Sequence, residues 1–130
     1  MSRGLNKVMI IGRLGRDPEM RYTPTGRPVT TYSVMTTRNW NSSDGERHKE
    51  TEWFNIVAWG SLAEICNKYL IKGQQVYIEG RLQTRYWEDN TGNKHSSTEI
   101  VANEMIILSD RREGAFPEEE EDTEEEEFPL

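Results

Sequence analysis

Residues 51–87 read TEWFNIVAWG, then SLAEICNKYL, then IKGQQVYIEGRLQTRYW, and the change of period inside them decides the fold class. The first piece is rich in aromatic and β-branched residues and predicts a strand. Ser61 is placed as an N-cap, with Glu64 completing a capping-box pattern. Leu62, Ile65, Cys66, Tyr69 and Leu70 follow at helical spacing, so a short amphipathic helix is expected. Lys72 and Gly73 close it, the cation near the last carbonyls and the glycine as C-cap. Residues 75–87 form the next strand. Trp53, Trp59 and Trp87 lie in or at the ends of these strands with basic residues between them. A sheet that stacks unpaired bases needs such a unit.

Working outward, residues 6–14 (NKVMIIGRL) predict the first strand, with Gly12 marking a bulge or a close backbone approach. Residues 15–26 are a turn-rich connection with room for a short strand at 20–23. Residues 28–37 (PVTTYSVMTT) are the second strand, and 38–49 (RNWNSSDGERHK) read as a polar exposed loop that carries Trp40. A large ring in a polar loop must either pack back or meet a partner. The third strand is 51–59, the fourth 75–87, and residues 89–93 (DNTGN) make a hairpin loop with Gly92 able to take positive φ. Residues 97–108 are the fifth strand. Five strands with a helix between the third and fourth is the element order of an oligonucleotide-binding barrel, an all-β fold. No internal repeat is evident.

The chain is 130 residues long, enough for one ordinary domain, and its net charge of −7 hides two regions of opposite sign. Residues 113–130 hold ten of the 23 carboxylates and no lysine or arginine, leaving 13 acidic against 16 basic residues in 1–112, a net of +3. A mildly basic body suits a polyanionic partner. The acidic run should repel itself and stay extended and disordered. The single Cys66 excludes an internal disulfide framework and reads as a small apolar residue of the helix. There is no long apolar run and no signal-peptide pattern, so a soluble cytoplasmic protein without membrane attachment is expected.

Chemistry-bearing patterns are sparse. His48 and His95 lie in separate polar stretches with no ligand-spaced Cys or carboxylate, and both read as surface residues. Gly12 and Gly15 are too sparse for a phosphate loop, and no serine sits in a nucleophile elbow. No catalytic residue, metal or cofactor is expected. The aromatic set says more. Trp53 and Trp59 are six residues apart, so both rings can share one strand face, and Arg81, Arg85 and Trp87 share the parity of the fourth strand.

Two long runs resemble a known family. SRGLNKVMIIGRLGRDPEMRY resembles the opening segment of the bacterial single-stranded DNA-binding proteins of the homotetrameric type, and residues 51–87 resemble their central segment position by position. The resemblance covers residues 2–108. It implies an oligonucleotide-binding fold over 1–109, a homotetramer, and binding of single-stranded DNA with little sequence preference. It further implies protection of exposed strands in replication, recombination and repair, and association with the nucleoid. Carried over by motif, the base-stacking aromatics are Trp40, Trp53, Trp59 and Trp87, with Trp59 where relatives more often have Phe. Arg3, Lys7, Arg21, Lys49, Lys72, Arg81 and Arg85 would follow the phosphates; Arg81 is inferred from its strand face alone. Gln75 and Tyr77 would lie between dimers, and Phe54 stands near that contact where relatives commonly have His.

Residues 110–130 depart further from the family. Relatives carry a long Gly/Pro/Gln-rich linker and end in Asp-Ile-Pro-Phe. Here the chain passes through Arg111 and Arg112 into EEEEDTEEEE and ends Phe128-Pro129-Leu130. Glu126, Glu127, Phe128, Pro129 and Leu130 would bind partner proteins of replication, repair and recombination, an apolar tip behind carboxylates suiting a basic-rimmed pocket. A primosome adaptor barrel would lack the full tryptophan set and the acidic tail. A cold-shock RNA-binding barrel would show Phe-rich motifs in a shorter chain.

Overall fold

Alternation turns NKVMIIGRL into the first strand: Ile10, Gly12 and Leu14 face inward and Met9 and Ile11 outward. The computed structural model describes residues 4–109, so Arg3 and the calls made on 110–130, including Glu126, Glu127, Phe128, Pro129 and Leu130, lie outside the described residues. The elements are β1 (Val8–Leu14), β2 (Glu19–Tyr22), β3 (Pro28–Asn41), β4 (Arg47–Trp59), α1 (Gly60–Tyr69), β5 (Gln75–Glu88) and β6 (Lys94–Ile107). The sheet runs β1-β5-β6-β4-β3-β2, and an added β1–β3 pairing closes five of the strands into a barrel. The expected fold class is what the chain adopts. β2 is the short strand anticipated near residues 20–23, laid against β3 outside the closed ring.

Two thin seams complete the barrel. β1 meets β3 through Arg13↔Met35 and Leu14↔Val34, and β4 meets β6 in parallel through Ile56↔Ile100 and Val57↔Val101. Ile10, Leu14, Tyr32, Val34, Ile56, Val76, Ile78 and Ile100 fill the interior, where Ala63 and Cys66 of α1 and Leu70 just after it join them. The buried Thr30 hydroxyl donates to the Ala63 carbonyl at 2.7 Å, tying the helix to β3. The Cys66 thiol lies 3.7 Å from the Tyr32 hydroxyl, and burial pushes its pKa up.

Three local expectations are corrected. Ser61 is not the N-cap. β4 stays extended to Trp59, Gly60 turns the corner at φ 65°, and no side chain caps the helix. Gly73 and Lys72 do not end the helix either. It stops at Leu70, whose N–H bonds the Cys66 carbonyl, and its last-turn cation is Lys68. Gly73, at φ 94°, serves a following turn that the Gln74 side chain closes by accepting from the Ile71 N–H at 2.9 Å. Finally, residues 38–49 are not a loop. The β3–β4 ladder continues without a break to Asn41↔Arg47 and leaves only residues 42–46 as the turn. This ribbon projects past the barrel with no core on either side, so its strands carry none of the apolar alternation that marks a half-buried strand.

Gly12 makes the close approach expected of it, while the bulge falls elsewhere, between Glu79 and Gly80. A Cβ on Gly12 would lie 2.7 Å from Val34 Cγ1 and closer still to the Met35 carbonyl oxygen. It would wedge open the β1–β3 seam. Gly12→Ala is therefore expected to lower stability by about 1–3 kcal/mol, the usual cost of overpacking. Gly4→Ala meets nothing within 4 Å and should leave the thermal midpoint unchanged. Thermal unfolding of the two variants checks the difference.

Candidate nucleic-acid interface

Two hairpin ends carry similar side-chain stacks. On the β3–β4 ribbon, Trp40 faces His48 across the strands, and the rings stack with centroids 5.1 Å apart and planes 17° apart. On the β5–β6 ribbon, Trp87 faces His95 in the same way, at 5.5 Å and 21°. A guanidinium two residues earlier reaches each indole: Arg38 lies 4.3 Å from the Trp40 centroid and Arg85 5.2 Å from that of Trp87. Both histidines, expected to be plain surface residues, are part of an aromatic cluster.

The turns that set these registers match. Ser42 N–H donates to the Glu46 carbonyl and Gly45 N–H to the Ser42 carbonyl; Asp89 N–H donates to the Asn93 carbonyl and Gly92 N–H to the Asp89 carbonyl. Gly45 and Gly92 sit at φ 90° and 89°, where other residues are strained. A carboxylate braces each turn. Asp44 accepts from the Ser42 hydroxyl and the Glu46 N–H, which lower its pKa. Asp89 bonds the His95 ring at 2.8 Å and accepts from Thr91, and these partners bring its pKa down to about 2.

The other two tryptophans lie on the barrel. With the ladder unbroken, Trp53 and Trp59 have the parity opposite to the core residues Ile56 and Ala58, so they share one side of β4 as expected. Trp40 has the opposite parity and continues the side of Tyr32 and Val34 beyond the end of the core. Trp53 rests on Gly15, where an added Cβ would fall 2.9 Å from the ring atom Cη2. Arg27 sits 4.5 Å over the Trp59 ring. Trp40, Trp53 and Trp87 keep 39%, 58% and 43% of their surface exposed, large values for indoles.

The predicted cations are less uniform. Arg81 and Arg85 share the strand side of Trp87, since the β5–β6 register is unbroken from Gly80 to Glu88. Arg85 is also paired with Glu99 at 3.1 Å. Lys49 lies on the β3–β4 ribbon opposite Asn39, and Arg21 lies on β2 beside Glu19. Lys72 is exposed in the turn after α1, its backbone N–H held by Asp17. Lys7 is drawn to another surface, 3.1 Å from Glu79, which also accepts from the Tyr77 hydroxyl at 2.7 Å. There Ile11, Tyr77 and Ile106 form an outward row across β1, β5 and β6. Ile11 and Ile106 are about half exposed, at 46% and 45%. Gln75 pairs with Arg13 at the end of the same strands. Phe54 packs partly buried against the core.

Arg27 and Arg38 were not among the predicted cations. The signal for the hairpin set was present in the spacing. RNWNSSDGERH (38–48) and RYWEDNTGNKH (85–95) both read Arg-x-Trp, then Gly five residues after the Trp, a cation at seven and His at eight. Contrary to the sequence-based expectation, the chain does contain a short internal repeat, visible once both ribbons are paired. Among the described residues, no group of three or more His, Cys, Asp or Glu could hold a metal, and no helix is long and apolar enough to cross a membrane.

Comparison with known proteins agrees with this architecture. A model of the single-strand binding protein family matches residues 5–108. Single-stranded DNA-binding protein 1 of Chlorobaculum tepidum is 54% identical over 115 residues, covering 88% of this chain and 71% of the relative. The single-stranded DNA-binding protein of Neisseria meningitidis serogroup A is 50% identical over 118 residues, covering 89% and 68%. Among solved structures, a Plasmodium falciparum SSB in complex with ssDNA superposes with a TM-score of 0.77 at 33% identity, covering 84% of this chain and 99% of that one. A deletion mutant of the single-stranded DNA binding protein from Thermus aquaticus gives 0.73 at 32% identity, covering 85% and 54%. With a closed five-strand barrel, two tryptophan-bearing ribbons and a family match over nearly all the described residues, the chain belongs to the single-strand binding protein family.

Proposed function

We propose that this chain binds single-stranded DNA with little sequence preference and does so passively, without a cofactor or a chemical step. The observation that carries the reading is the display of four indoles on one barrel, three of them with a guanidinium within about 5 Å. Exposed rings of this size gain little from water and much from a flat partner. Each base stacked on Trp40, Trp53, Trp59 or Trp87 contributes roughly 1–3 kcal/mol by alanine substitution. Arg21, Lys49, Lys72, Arg81 and Arg85, with Arg3, are the proposed phosphate contacts. Neutralising phosphates releases counterions, so affinity falls with salt. Every base has a π-face, which accounts for tolerance of sequence. Duplex DNA hides those faces.

The reading extends to assembly and partners. The outward row Ile11–Tyr77–Ile106, with Gln75 and the Lys7–Glu79 pair beside it, is apolar and exposed in a single copy. Such a patch favours association, and a homotetramer is the proposed state, Lys7 belonging with this face rather than with DNA. Residues 110–130 are proposed as a partner-binding tail for proteins of replication, repair and recombination, read through Phe128-Pro129-Leu130 behind Glu126 and Glu127. The setting is the cytoplasm, on DNA.

Three outcomes are expected. Trp emission should fall on adding an oligothymidine, and Trp53→Ala should weaken binding by roughly 1–3 kcal/mol with the fold intact; unchanged affinity in all four single Trp→Ala variants sinks the stacking reading. Light scattering at micromolar concentration should give the mass of four chains, and Tyr77→Arg should lower it; a monomeric wild type refutes the assembly. Deleting residues 113–130 should tighten DNA binding more at low salt than at high, because the tail's carboxylates compete with phosphates at close range. The same deletion should abolish capture of partner proteins; a deletion without effect on either leaves no role for the tail in binding.

A further inference from the structure

The two ribbon ends are one device used twice. In each, an arginine, a tryptophan and a histidine sit at the same spacing around a five-residue turn with the same hydrogen bonds. In each, the imidazole lies nearly parallel to the indole of the facing strand. The ring nitrogen Nε2 of each histidine also points to a carboxylate of its own turn, His48 to Glu46 at 4.0 Å and His95 to Asp89 at 2.8 Å. A histidine that merely filled surface has no reason to recur in the same ring stack, with the same type of partner, on both hairpins.

We propose that His48 and His95 are positioning residues of the nucleic-acid interface: each holds the indole it stacks on, and its protonated ring binds the phosphate of the nucleotide seated there. The inference deepens the single-stranded DNA reading and rests on it. The indole has two faces and the imidazole covers one, which leaves the other for a base once the guanidinium of Arg38 or Arg85 gives way. The imidazolium keeps Nε2 on its turn carboxylate and donates its second N–H, on Nδ1, to a phosphate oxygen. Histidine is the side chain that changes charge between about pH 5 and 8, so DNA affinity becomes pH-dependent there.

Other charges face these rings. Around His48 they are Glu46 in the turn, Arg38 beside Trp40 on β3, and Glu50 on β4, which holds Arg38 at 3.0 Å. Around His95 they are Asp89 in the turn, Arg85 beside Trp87 on β5, the adjacent Glu88–Lys94 strand pair, and Glu99 on β6, which holds Arg85. Carboxylates, lysines and arginines do not ordinarily titrate between about pH 6 and pH 8. The sign follows from linkage. A nearby phosphate raises the imidazole pKa in the complex above that in the free protein, so the added affinity is fully present below the free-protein value. It is lost as pH rises through the value in the complex.

The test is a tryptophan-fluorescence titration of the full chain with an oligothymidine, whose base does not titrate in this range, at about pH 6 and about pH 8 over a salt series. Wild-type affinity should rise on acidification by roughly tenfold for each imidazole whose pKa rises one unit. The slope of log affinity against log salt should steepen by about 0.7 for each phosphate newly neutralised. His48→Gln and His95→Gln should each remove part of the pH dependence, and the double variant all of it. His95→Arg, with a permanent cation in one stack, should lose the His95 share of the pH dependence without losing affinity at the lower pH, and the double variant His48→Arg, His95→Arg should hold its low-pH affinity at both pH values. Tight binding and full quenching by the wild type at both pH values, with no pH dependence, overturns the proposal and leaves the single-stranded DNA reading standing. So does a double variant with an undiminished pH dependence. Absence of quenching at either pH overturns both readings. Because the wild-type profile alone decides the first case, a variant that fails to fold does not rescue the idea.

Discussion

Closure of the barrel is the constraint on which the molecule depends. A five-stranded sheet has two edges with unpaired N–H and C=O groups, and curling β1 onto β3 removes them. The seam is only two residue pairs long, and it exists because Gly12 presents no side chain to Met35 and Val34. The bulge at Glu79 and Gly80 serves the same end. There the β5 backbone passes so close to Val101 that a Cβ would collide with its carbonyl oxygen. Bulges bend a strand and increase its twist, which lets β5 and β6 leave the barrel as a paired ribbon. The interface is thus built on backbone geometry: glycines shape the barrel, and the barrel aims the ribbons.

Sequence legibility followed burial. Residues 51–87 could be read because β4, α1 and β5 each bury one face, and burial imposes a period of two or of 3.6. The inward residues Ile56, Ala58, Ala63, Cys66, Leu70, Val76 and Ile78 carry that signal directly. The ribbon ends could not be read this way. Arg38–Asn41 and Arg47–Glu50 are held by ladder bonds and by pairs such as Arg38–Glu50, and nothing there is packed inside. Strands without a buried face leave no hydrophobic period. The helix start was misplaced because Ser61-x-x-Glu64 matches a capping box, whereas the chain turns its corner on the backbone of Gly60. The tryptophans were visible as candidates from composition, while their histidine partners required the register of both hairpins.

The stacks on the ribbons show how an exposed aromatic surface is kept ready without a core. Trp40 and Trp87 are held by an imidazole across the strands and a guanidinium along them, so much of each ring already faces a planar group. Ordering the ring before DNA arrives reduces the side-chain entropy lost on binding. The braced turns contribute in the same way. Carboxylates accepting from Ser42, Thr91 and the turn N–H groups hold the loops in one conformation, which keeps tryptophan and histidine in register.

Trp53 packs against Gly15, where a Cβ would meet its ring, and keeps more than half of its surface in solvent. On the proposed reading, a base meets it as a tile meets a floor. An indole exposed to this degree offers a base a face more than an outline. When one base slips off, its neighbour along the strand can cover the same area of indole. The free energy along the polymer is then nearly flat, interrupted by one stacking contact at a time. On that reading low lateral friction is the consequence: a strand held against dissociation can still creep through the protein.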